Sequence, residues 1–129
     1  MTWSAVNKAA SQYVEGIFKG QISWQDIQDL TAQCISFQRT QGTTRFLIDT
    51  SEMTTSASIS DVYQLPSHEY QKQNVDRQTK IALVYLPSGE SQEIVAFYET
   101  ACINRGWQVR KFTSQQEAIS WLTADIEAK

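Results

Sequence analysis

Apolar positions along the chain change period several times, and each change marks an element. Between Gln12 and Phe18 they suit a strand: Tyr13, Glu15 and Ile17 share one side, Val14, Gly16 and Phe18 the other. With a short apolar segment at Trp3 to Val6 and a turn at Lys8 to Ser11, this predicts an antiparallel hairpin. The period then becomes helical. Trp24, Ile27, Leu30, Cys34 and Phe37 fall on one face, behind Ser23 as N-cap with Asp26 three residues on. Ile22 and Ile27 occupy the positions of a hydrophobic staple, and Gly42 fits the C-terminal stop.

Phe46, Leu47 and Ile48 run without alternation, as in a strand covered on both faces. That strand, Thr44 to Ile48, is expected to end at Asp49, where a hydroxyl-rich segment begins. From about Ser58 the spacing is helical again, with Ile59, Val62 and Tyr63 on one side; Pro66 is expected to stop or kink this helix. Ile81 to Leu86, the most apolar stretch, is expected near the sheet centre and breaks at Pro87 to Gly89. Ile94, Val95, Phe97, Tyr98, Ala101 and Cys102 mark a helix closing at Gly106. Trp107 to Phe112 alternates, as an edge strand does. Ser114 and Glu117 cap a last helix with Ala118, Trp121, Leu122 and Ile126 on its buried face.

The order ββαβαβαβα predicts an α/β domain over 1–129. It has a mixed sheet of about five strands: an antiparallel hairpin, then parallel βα units with helical crossovers.

Composition narrows the function classes. Fourteen acidic side chains against eleven basic ones give a net charge of −3, and no run of Lys or Arg occurs; the nearest grouping is Arg105, Arg110 and Lys111. A polyphosphate backbone needs a basic face, so nucleic acid and anionic membrane surfaces are poor partners. The longest apolar run is far shorter than the roughly 20 residues of a membrane span. The N-terminus lacks the pattern of a signal peptide, which predicts a cytoplasmic protein with no membrane insertion. Cys34 and Cys102 read as buried, reduced thiols. One His and no CxxC argue against a zinc site, and no phosphate-binding glycine motif occurs, so no metal and no cofactor is expected.

In open α/β sheets ligands bind beyond the carboxyl ends of the strands. Here those ends carry Asp49 to Ser58 and Pro87 to Ser91. If the two strands are parallel neighbours, Asp49, Ser56, Ser58 and Ser88 share one rim, a candidate surface for a ligand or partner. Each residue also has a plainer reading: Asp49 caps local backbone N–H groups, and Ser56 or Ser58 caps a helix. His68 beside Glu69 is better read as an exposed helical histidine than as a catalytic dyad, since adjacent helix residues point apart. Trp24, Trp107 and Trp121 read as packing. No residue set is assigned a catalytic role.

The order of elements, with Phe46 to Thr50, Lys80 to Val84 and Trp107 to Leu122, resembles the STAS superfamily. The likeness is nearest to its bacterial stage II sporulation protein AA-like branch and covers about residues 11 to 124. The resemblance implies a non-enzymatic regulatory module with a protein partner, and a homodimer is one arrangement open to it. In anti-sigma-factor antagonists of this group, a Ser following an Asp at the start of a helix is phosphorylated by a partner kinase. This sequence has no Asp–Ser pair there; Ser56 and Ser58 are the positions onto which the phosphosite carries, Ser58 foremost. Lipid-transfer domains of the same broad fold imply an alternative: a carrier holding a small apolar ligand or lipid in a closed pocket lined by Phe46, Tyr63, Phe97 and Tyr98.

Overall fold

The computed structural model describes residues 3–87 and 89–127, the side chains of 125–127 excepted. Ser88 and the side chain of Ile126 therefore lie outside the described residues. β1 (Trp3–Lys8) and β2 (Tyr13–Ile22) form the hairpin, joined by a 3-10 turn at Ala9–Ser11. β3 (Arg45–Thr55), β4 (Lys80–Val84) and β5 (Gln108–Phe112) follow in the order β1-β2-β3-β4-β5, all parallel to β2. The strand at 81–84 lies one place from the edge, between β3 and β5. β3 is the central strand.

Each parallel step has its crossover. α1 (Trp24–Gln41) links β2 to β3. α2 (Ile59–Gln64), a π-helical turn (Leu65–Glu69) and α3 (Tyr70–Lys72) link β3 to β4, and α4 (Gln92–Asn104) links β4 to β5. Strands added in one direction by crossovers of one hand put every crossover on the same face. That face holds the larger core: Val14, Phe18, Phe46, Ile48, Leu83 and Val109 from the sheet meet Ile27, Leu30, Val62, Leu65, Val95 and Cys102 from the helices. α5 (Gln115–Glu127) returns across the other face, where Ala118 and Leu122 pack on Leu47, Ala82 and Val84.

Local chemistry fixes the helix ends. The Ser23 hydroxyl accepts from the Asp26 N–H at 3.1 Å, and the Asp26 carboxylate accepts from the Ser23 N–H at 2.9 Å. Ser58 and Asp61 repeat this box at 2.9 and 3.1 Å. α1 ends at Gly42 with φ 70, a conformation that costs a residue without Cβ little. Gly16 serves a different need: a Cβ there would lie 2.9 Å from Ile48 Cδ1 and 3.2 Å from Leu30 Cδ1, so its absence lets α1 approach the sheet.

Two segments depart from the sequence expectation. β3 does not end at Asp49 but runs on to Thr55 alongside the last residues of β2. Between the pairs Ile17↔Asp49 and Lys19↔Glu52, β3 contains one residue more than β2. This bulge shifts the side-chain phase, so Met53 joins Phe46 and Ile48 on the larger core. Asp49 ties the bulge off, accepting from the Ser51 N–H at 2.9 Å and the Ser51 hydroxyl at 2.6 Å. The second departure is at Pro66: α2 ends just before it, at Gln64, as a stop or kink requires, but the chain continues through Pro66 as a π turn. Pro66 has no N–H to donate, and the chain widens into the π turn, closed by Tyr70 N–H donating to the Leu65 carbonyl. On α2 only Val62 is buried; Ile59 is 45% exposed and Tyr63 41%.

Candidate functional site

The strand ends were the expected site. Phe46↔Ile81 and Asp49↔Val84 pair in parallel, so these two strands do emerge on a common side. Their polar groups are bonded within the fold. The Thr50 hydroxyl donates to the Val84 carbonyl at 2.8 Å, and the buried Ser91 hydroxyl donates to the Thr50 carbonyl at 3.3 Å. Asp49 serves its own bulge, the capping role. Because β3 continues, Ser56 and Ser58 lie beyond six further strand residues, a separation of about 20 Å from Asp49. Asp49 is thus not brought together with Ser56 or Ser58. Ser58 is the N-cap of α2, and Ser56 is exposed.

The space in the molecule lies elsewhere, between the sheet and the crossover helices. A cavity of about 130 Å³ is walled by β3, β4 and β5 below and by α1, the π turn and α4 above. Phe46, Ile48, Leu83 and Val109 form its floor; Leu30, Cys34, Leu65, Val95 and Tyr98 form its roof. Among the described residues, no Asp, Glu, Lys, Arg or His lines it. The volume is smaller than the roughly 300–1,000 Å³ of ordinary ligand pockets. Of the residues expected to line such a pocket, Phe46 and Tyr98 do so. Tyr63 and Phe97 instead pack on each other, ring centroids 6.2 Å apart, outside it.

The polar groups in the wall are few. Gln38 closes one end, donating to the Thr79 hydroxyl at 2.8 Å and accepting from the Asp76 N–H at 2.9 Å. The hydroxyls of Tyr70 and Tyr98 hydrogen-bond at 2.5 Å, and Tyr98 also meets the Cys102 thiol. Burial pushes both phenols well above their ordinary range, so they stay protonated. Burial likewise pushes the Cys34 and Cys102 thiols up to about 12. Neither is a nucleophile in this state.

A pH dependence follows from these thiols. Each binds its proton more tightly folded than unfolded, where the ordinary value is 9.0. Their contribution is complete below about pH 9 and is lost as pH rises towards 12. The urea midpoint is expected to fall across that window. Replacing both cysteines with Ala is expected to flatten the fall; an unchanged slope in the double variant would contradict the assignment.

A second, more polar groove of about 340 Å³ lies outside, between α1 and the π turn. Arg39, Gln64, His68, Glu69 and Gln73 line it, and Thr31, Ile35 and Leu65 are common to both spaces. His68 and Glu69 thus share this groove, whereas Asp49 is not part of its wall. Among the described residues no three of His, Cys, Asp or Glu gather as metal ligands, and no helix is long and apolar enough to cross a membrane.

Sequence reasoning missed Leu65, Tyr70 and Thr79 as residues around an internal space. The signal that existed was on α1, whose inward face carries Thr31, Cys34 and Gln38, which are small or polar where a filled core would hold larger apolar groups.

Comparison with known proteins agrees with this architecture. The family model described as SpoIIAA-like matches residues 14–123. A crystal structure of an uncharacterized protein of the DUF3478 family from Shewanella loihica, described as having a SpoIIAA-like fold, superposes with a TM-score of 0.56. It is 20% identical and covers 85% of this chain and 83% of its own. No curated protein matches the chain.

Proposed function

Because the chain belongs to the SpoIIAA-like family, we propose that it is a non-enzymatic binding module that takes a small apolar molecule between its sheet and its crossover helices. The cavity carries this reading. Left unfilled, a space of about 130 Å³ would, at about 24 cal/mol per Å³, cost on the order of 3 kcal/mol. That is a large share of the roughly 5–15 kcal/mol by which domains are stable. A void lined by aliphatic and aromatic groups stays dry, and one of about 150 Å³ accepts benzene. The outer groove, sharing Thr31, Ile35 and Leu65 with the cavity, offers a route in.

Benzene is the probe. Calorimetric titration is expected to show one site per chain, and a saturating excess is expected to raise the melting temperature. No heat of binding and no thermal shift would reject the reading.

Regulation through a partner protein is the second reading, favoured by the exposure of Ile59 and Tyr63 on one face of α2. The partner we assign to that face is a second copy of the chain. Ultracentrifugation is expected to show a dimer that Ile59→Asp dissolves; a wild-type monomer at every concentration rejects it. Phosphorylation at Ser58 fits this reading poorly, because the added charge would lie beside the Asp61 carboxylate that completes the cap.

A further inference from the structure

We infer that the ligand is an α-amino acid with a large apolar side chain: the side chain fills the internal cavity, and the zwitterionic head lies in the outer groove between Arg39 and Glu69. This inference rests on the binding function proposed above and names the class of ligand. The two spaces suit the two ends of one molecule. The cavity, about 130 Å³ with an aliphatic and aromatic wall, takes apolar atoms of about benzene size. The groove, about 340 Å³, is polar, and Thr31, Ile35 and Leu65 border both spaces.

Helix geometry places the head one turn beyond that doorway. Thr31, Ile35 and Arg39 fall four residues apart on α1, so they form one stripe, and Arg39 stands about 6 Å along the axis from Ile35. Leu65 and Glu69 are the two ends of the facing π turn. Outward from Ile35 and Leu65, a molecule therefore reaches Arg39 on one wall and Glu69 on the other. Beside His68, these are the charged side chains among the described residues that line the groove.

Arg39 and Glu69 do not neutralise each other. Among the described residues neither makes an ion pair. The Gln73 amide stands between them: its side-chain carbonyl accepts from Arg39 Nη2 at 2.8 Å, and its nitrogen donates to Glu69 Oε2 at 2.9 Å. The Gln73 backbone carbonyl accepts from the same Nη2 at 2.9 Å. These bonds hold both charges in place and leave Nε and Nη1 of Arg39 and Oε1 of Glu69 without a partner among the described residues. An amide is an acceptor and a donor on one carbon, and one amide spans the gap. A ligand bridging the same charges needs an acceptor and a donor comparably close together. An α-carboxylate and an α-ammonium meet that need with full charges. A lone anion would meet Arg39 but be repelled by Glu69, and a lone cation the reverse. With the head in the groove, no ion enters the apolar cavity unpaired.

Calorimetric titration of the full chain with phenylalanine, 3-phenylpropanoate and phenethylamine tests this, because the three share a phenyl group and differ in the head. Phenylalanine is expected to bind one per chain, at least about tenfold tighter than either singly charged probe, the worth of one hydrogen bond to a charged group. Glu69→Gln keeps an acceptor for Gln73; it is expected to weaken phenylalanine about tenfold and to strengthen 3-phenylpropanoate. Arg39→Gln is expected to weaken phenylalanine likewise and to strengthen phenethylamine. Opposite changes for two probes in one variant do not arise from misfolding, and the wild-type ranking needs no variant. Cys34→Leu, which fills the cavity, is expected to weaken all three. A singly charged probe that binds as tightly as phenylalanine, or benzene binding without phenylalanine binding, would overturn the assignment of the head while the cavity reading survives. Phenylalanine binding unchanged in Cys34→Leu would put its side chain outside the cavity and overturn the inference. If neither benzene nor phenylalanine binds, the cavity reading falls, and this inference with it.

Discussion

Leu47→Ala is expected to lower the free energy of unfolding by about 4 kcal/mol, among the larger losses a single core truncation produces. Leu47 is fully buried on the central strand, on the face that α5 covers. Beside Val84 and Leu122, its cluster holds the small Ala82 and Ala118, which have no side chain long enough to refill the space. The control is Val6→Ala on β1, where the side chain is 54% exposed and the change is expected within about 0.5 kcal/mol. Urea unfolding of the two variants checks both. A Leu47→Ala loss no larger than the Val6→Ala loss would mean that α5 does not seal this face.

Cys34→Leu is expected to act in the opposite direction on stability and to remove binding. The Cys34 thiol borders the cavity, and Leu adds about two carbon groups there. Each is worth about 0.8 kcal/mol when buried, so the gain is about 1.5 kcal/mol. Leu is also the better helix former on α1. Benzene affinity is expected to drop at least about tenfold, as two groups worth that much displace the occupant. A variant that is more stable and binds less marks a site kept open at the expense of stability. Loss of stability instead would indicate overpacking, and hence no usable space at Cys34.

Much of this fold could be read from residue order. The capping box at Ser23, the stop at Gly42 and the alternation of the hairpin each have a local cause, so the sequence around them suffices. The parallel pairing of 45–49 with 80–84 followed from the alternation of strands and helices. What escaped depended on contacts distant in sequence. The hydroxyl-rich run after Asp49 reads as a loop, yet β2 pairs with it, and a bulge hides its strand phase. Pro66 reads as a helix breaker, but the π turn absorbs its missing N–H. The exposure of Ile59 and Tyr63 depends on what α4 covers.

The candidate site was less legible still. Spacing identifies which residues face inward but not whether they fill the volume between them. Cys34 is the clearest case. Its place on the inward face was expected from the sequence, while the space beside its thiol emerges only when every neighbour is in place.

The most direct measurement is a methyl-resolved NMR titration with benzene. Shifts are predicted for Leu30, Ile48, Leu65, Leu83 and Val109, which surround the cavity, and not for Leu47 or Leu122 on the opposite face of the sheet. Shifts spread evenly over both faces, or no shifts at all, would contradict an internal binding site.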